Sequence, residues 1–120
     1  MIVLDSNIII YLQQGKLANP LPKAHYAVSF ITQMELFSFP NLSEFEKQTL
    51  HDLFSQLDVI DLTESLKWQA IELRRKYRLR LPDALVVATA LTHDLLLLSN
   101  DLQLQRVATL KLQTVQLSEP

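Results

Sequence analysis

The sequence predicts an α/β fold built on a doubly wound parallel sheet, and three observations predict it. The candidate strands are short and wholly apolar instead of alternating, the mark of strands covered on both faces. Between them stand segments that open on capping residues and carry helical spacing. Strand and helix then alternate through all 120 residues, a length that suits one core and a single domain, 1–120.

Ile2-Val3-Leu4 is the first apolar run and ends at Asp5. Ser6 or Asn7 then caps a helix through Leu12 to Gln14, stopping near Gly15, the only glycine. The β-branched Ile8-Ile9-Ile10 weigh against that helix and leave a longer strand as the alternative. Ala27-Val28-Ser29-Phe30 forms the second strand. Thr32 is expected to cap the next helix, with Glu35 completing the T-x-x-E spacing of a capping box. Ser43 and Glu46 repeat that spacing and open a helix carrying Phe45, Leu50, Leu53 and Phe54. Val59-Ile60, flanked by Asp58 and Asp61, reads as a short edge strand. Thr63 opens a long helix through Trp68, Ile71 and Leu73 toward Tyr77. Pro82 suits a first helical turn, and Ala84 to Leu91, apolar nearly all round, predicts a buried helix. Leu95 to Leu98 is the fourth strand, Asp101 through Ala108 a short helix, and Thr114 to Leu117 the fifth strand.

Composition narrows the chemistry. The net charge is −2, so no strong overall field points to nucleic acid or membrane. Four acids at element junctions, Asp5, Glu35, Asp83 and Asp101, hold the negative balance: the remaining nine acids face 11 bases. The absence of cysteine excludes disulfides, thiolate catalysis and cysteine zinc sites. The apolar opening MIVLDSNIIIYL carries an acid and lacks a basic leader, and no run approaches the ~18 apolar residues of a membrane span. The expectation is a soluble cytoplasmic protein without membrane partners.

Each junction acid alone has an ordinary explanation as a helix cap or a partner of the helix dipole. Jointly they point elsewhere. Ligands of open parallel sheets collect beyond the carboxyl ends of the strands. Asp5 follows the first strand, Glu35 the second by one helical turn and Asp101 the fourth, so these three share a sheet edge. Asp83 opens the buried helix, and this rule alone does not place it. Clustered carboxylates repel one another unless a cation joins them, and an all-oxygen set favours Mg²⁺ or Mn²⁺. Such a site can cleave phosphodiesters. The histidines at 25, 51 and 93 are scattered and read as structural, and no phosphate-cradling loop or serine elbow is present. Arg74, Arg75, Lys76, Arg78 and Arg80 form a basic run before Pro82-Asp83, read equally as RNA phosphate contacts or as a solvated helix end.

The stretches IVLDSNIIIYL, SFITQMEL and LPDALVVATALTHDLLLLSND, with the short C-terminal strand, span nearly the whole chain. Through them the sequence resembles PIN-domain ribonucleases, and among these the compact VapC-type toxins of bacterial toxin–antitoxin pairs. The resemblance implies a three-layer PIN-like fold whose central five-stranded parallel sheet, ordered 3-2-1-4-5, is flanked by helices. It also implies RNA cleavage dependent on Mg²⁺ or Mn²⁺, a homodimer, and a cognate antitoxin covering the groove. Carried over by position, it makes Asp5, Glu35, Asp83 and Asp101 the metal-binding and catalytic acids. Asp5 and Asp101 are the first candidates for direct ligands. Ser6, Asn7 and Ser99 become supporting polar positions, Ser99 standing where threonine is commoner and Leu104 where phenylalanine is.

Two other readings compete. An antitoxin-binding or regulatory module with weak or no catalysis would use apolar surface among Phe37, Phe39, Phe45, Leu50, Leu53 and Phe54. A phosphoacceptor or flavin-type domain also carries acids at strand ends, but Lys111 is the only lysine placed for the former, and no loop suits the latter.

Overall fold

The computed structural model describes residues 1–119. In chain order its elements are β1 (Ile2–Leu4), α1 (Ser6–Gln13), β2 (Tyr26–Ser29), α2 (Phe30–Phe37), α3 (Glu44–Phe54), β3 (Asp58–Ile60), α4 (Glu64–Tyr77), α5 (Leu81–Thr92), β4 (Leu96–Leu98), a 3-10 helix (Leu102–Arg106) and β5 (Leu112–Gln113). All strand pairs are parallel, in the order β3-β2-β1-β4-β5, as the family resemblance implies.

Parity along the strands sets the layers, because successive side chains face opposite sides of a sheet. Val3 and Leu97 pack with Leu66, Ala70 and Leu73 of α4 and with Ala84 to Ala88 of α5. Their neighbours Leu4 and Leu98 turn the other way, to Ile8 and Ile9 of α1 and Leu50 and Phe54 of α3. Two helical layers therefore sandwich the sheet. The buried helix predicted around Ala84 to Leu91 is α5, where every residue from Ala84 to Ala90 is buried.

Local signals explain most boundaries. The β-branched isoleucines did not make a longer strand: Asp5, in place of the expected Ser6 or Asn7, caps α1 by accepting the Ser6 N–H, and burial of Ile8 and Ile9 outweighs their propensity. Past its end, Gly15 takes φ 66°, and the Gly15 and Lys16 amides donate to Leu12 and Tyr11, closing the helix with a Schellman pair. Ser43 and Glu46 form a complete capping box on α3, and Thr63 caps α4. No described helix is long and apolar enough to cross a membrane.

Four further expectations require correction. Ser29, not Thr32, caps α2: the Ile31 N–H donates to its Oγ at 3.3 Å, so Phe30 is already helical and Thr32 is buried inside the helix. Leu95 precedes the fourth strand, because its N–H donates to Ala90 O in the turn that leaves α5. The segment after Asp101 is a 3-10 helix, whose three-residue repeat brings Leu104 and Val107, both buried, onto one side. β5 is Leu112–Gln113 instead of Thr114 to Leu117. The Asn100 side chain accounts for this shift: it accepts from Val115 N at 2.8 Å and donates to Val115 O at 3.1 Å, taking that residue out of the ladder. Leu117 instead forms an isolated antiparallel bridge with Leu17.

Candidate active site at the switch point

The strand order reverses between β1 and β4, the place where open parallel sheets bind ligands. Asp5 leaves the carboxyl end of β1 and Asp101 follows β4, so the two stand on either lip of that crevice. Ser99 joins them. Fully buried, it donates its hydroxyl to Asp5 Oδ2 at 2.6 Å and accepts the Asp101 N–H at 3.1 Å. Asp5 Oδ1 takes the Ser6 N–H at 2.8 Å. Asp101 Oδ1 takes the Gln103 N–H at 3.0 Å. Both acids thus act as caps and still line the crevice.

Glu35 comes from α2. Its Oε1 lies 3.2 Å from Ser6 Oγ, which also lies 3.3 Å from Thr32 Oγ1. A carboxylate can only accept, so the Ser6 proton belongs to Glu35 and the Ser6 oxygen is left to accept from Thr32. The T-x-x-E spacing is real but does different work: it puts Thr32 and Glu35 one turn apart on the helix face toward Ser6. Asp83, in the first turn of α5, accepts from Arg80 Nε at 3.2 Å.

Burial pushes the Asp5 carboxyl above its ordinary pKa; the hydrogen bonds from Ser99 and Ser6 oppose this, and the negative fields of Asp83 and Asp101 add to the rise. Arg80 is raised in turn, first by its bond to Asp83 and then by the fields of Glu35 and Asp101. Asp83 and Asp101 thus lie within electrostatic reach of Asp5, and Glu35, Asp83 and Asp101 within that of Arg80.

The cluster's donors suit a hard cation in kind: carboxylate oxygens, with Asp5 held in a partly buried position where a lone negative charge is disfavoured. As they stand, no three acidic or histidine side chains among the described residues close around a common point.

The remaining candidates divide. Asn7 is exposed, and among the described residues its side chain makes no hydrogen bond to the acids. In the basic run, Arg74 donates to Leu79 O at 3.2 Å, Arg75 pairs with Glu72 at 3.1 Å, and Lys76 lies 5.3 Å from the Tyr77 ring centroid. Arg78 is exposed in the left-handed region at φ 55°. His25 and His93 are exposed, and His51 packs its ring 4.8 Å from that of Phe37. Two contributors were not foreseen, Thr32 as support for Ser6 and Arg80 as partner of Asp83. Both stand three residues from a site acid, a helical spacing visible in the sequence.

Comparison with known proteins decides the family. The PIN domain family profile matches residues 2–110. The chain belongs to the PIN-domain family. Solved structures resemble this PIN domain along nearly its whole length. A toxin–antitoxin complex from Klebsiella pneumoniae matches at 27% identity and TM-score 0.72, covering 92% of this chain and 95% of its own. VapBC-1 from nontypeable Haemophilus influenzae matches at 24% and 0.78, covering 95% and 98%. VapBC2 from Rickettsia felis, bound to a DNA fragment from its promoter, matches at 20% and 0.79, covering 97% and 100%. No curated protein matches the chain.

The Ser99 bridge of this PIN domain makes a stability prediction. Ser99→Ala leaves the partly buried Asp101 N–H without its acceptor and removes a donor from Asp5, so urea denaturation should register a loss of about 1–3 kcal/mol. Ser99→Thr keeps the hydroxyl and should recover most of it. Equal losses for both would mean that packing, and not the hydroxyl, matters there.

Proposed function

We propose that the chain is a VapC-type toxin, an RNA endonuclease that holds Mg²⁺ or Mn²⁺ through Asp5, Glu35, Asp83 and Asp101 and is restrained by an antitoxin. The PIN-domain match carries this reading, and it is supported by Asp5 and Asp101 flanking the switch point, with Glu35 held through Ser6 and Asp83 near enough for its charge to act on Asp5. When bound, the cation supplies Lewis acidity toward the scissile phosphodiester and cancels the charge that would repel it. The protein's part is placement. Ser99 and the Ser6 amide fix Asp5, Ser99 anchors the backbone of Asp101, and Ser6, backed by Thr32, orients Glu35. The partner and the homodimer are carried by the resemblance, and the three similar structures described above, a toxin–antitoxin complex and two VapBC structures, support the antitoxin.

A second reading, a binding module with little catalysis, draws on a groove of about 290 Å³ whose apolar lining, Ile10, Leu36, Phe39, Leu42, Phe45 and Leu50, stands beside four polar residues. Leu50 and Phe54 are buried, whereas Phe39 and Phe45 are exposed, Phe45 at 80%. The nuclease reading gives the same groove to the antitoxin, so cleavage alone separates the two. The full chain should cut single-stranded RNA with Mg²⁺ or Mn²⁺, stop on addition of EDTA, and resume when excess cation is restored. Cutting at an undiminished rate in EDTA would exclude the metal-dependent mechanism, and no cutting with either cation would favour the binding module.

A further inference from the structure

Five bases stand between Arg74 and Arg80, and among the described residues only Arg80 pairs with a site acid. The others have local employment: Arg74 closes on the Leu79 carbonyl, Arg75 on Glu72, Lys76 on the Tyr77 ring, and Arg78 makes the left-handed turn that ends α4. Arg80 occupies the cap position of α5 without making a side-chain cap hydrogen bond. Its guanidinium reaches past the first turn to Asp83, whose side chain is 23% exposed while that of Arg80 is 81% exposed. Pro82, also in that first turn, constrains the backbone between the two. Arg80 also feels the negative fields of Glu35 and Asp101, so its charge serves three of the four acids.

We propose that Arg80 is a built-in counter-ion of the acid cluster, which offsets part of its negative charge when no cation is bound and competes with a divalent cation through Asp83. The inference rests on the proposed metal site. A positive charge bonded to one acid opposes a second positive charge arriving at the same acids, and the guanidinium cannot shed its proton to make way. Being exposed, it can swing out into water at small cost, so the competition is mild and reversible. The same charge should steady the metal-free fold by relieving repulsion among the acids.

Calorimetric titration of the full chain with Mn²⁺, without RNA, tests this on wild type, Arg80→Gln and Arg80→Lys. Arg80→Gln should bind roughly two- to fivefold more tightly, the range set by an exposed charge pair. Arg80→Lys, which keeps the charge, should stay near wild type. In EDTA the Arg80→Gln protein should melt below wild type, and saturating Mn²⁺ should close that gap. Equal or weaker Mn²⁺ binding by a folded Arg80→Gln protein overturns the role of Arg80 and leaves the metal site standing. Absence of binding in all three proteins overturns both.

Discussion

Asp5→Asn is expected to lower RNA cleavage by about 10²–10³-fold or more, the scale seen when one preorganised electrostatic group is removed from an active site. The fold should survive. An asparagine oxygen can still accept the Ser6 N–H, and its amide can donate to Ser99 Oγ, which has a second lone pair beside the one used by Asp101 N. Stability should move the opposite way from activity. Burial raises the Asp5 carboxyl, so between its unfolded and folded titration ranges the folded chain binds a proton that the unfolded chain has released. Metal-free stability is therefore greater on the acid side and declines as pH rises through that window. The asparagine variant removes this contribution, and in EDTA at neutral pH it should melt at or above wild type. Circular dichroism melting beside a cleavage assay checks both parts. A variant that cuts as fast as wild type would refute the assignment of Asp5, and one that melts several degrees lower would refute its electrostatic account.

Leu97→Ala is expected to be the most damaging single truncation of the sheet. Leu97 is fully buried in the interior strand β4, registered between Val3 of β1 and Leu112 of β5 and packed within the cluster that includes α4 and α5. Removing its side chain should cost about 2–5 kcal/mol, the range for buried leucines that leave a cavity. For a chain of this size that lowers Tm by ~10 °C or more. Leu97→Met, nearly equal in volume, should lose less than about 1.5 kcal/mol. Urea unfolding of the pair checks the ordering, and a truncation cost below that of Leu97→Met would mean the strand is not filled as described.

Elements whose signals are local were legible in the sequence. Ile2–Leu4 is apolar because both faces are covered, Ser43 and Glu46 close a capping box within four residues, and α5 is apolar all round because it is buried all round. What could not be read depended on distant partners. Ser29 and Thr32 are equally good caps, and only the point at which β2 leaves the sheet selects Ser29. The extent of β5 is set by Asn100, fifteen residues away from the backbone it holds. Three junction acids could be assigned to one sheet edge from topology, but Asp83 required the family resemblance. The structure supplies its physical link in the field between Asp83 and Asp5 and in the contact with Arg80. Arg80 itself reads in sequence as part of the basic run, because composition does not reveal which way a long side chain turns.

The clamp of Asn100 on Val115 also bears on how the molecule lives beside its neighbours in a crowded solution. An edge strand offers unpaired amides and carbonyls to any extended chain that meets it, and proteins commonly guard against this by keeping edges short. Here the two edges, β3 and β5, run for three and two residues, and the Asn100 amide takes the Val115 groups that would otherwise have lengthened the pairing of β5 with β4. A side chain next to the candidate crevice thus also helps keep that edge too short to recruit a stray strand.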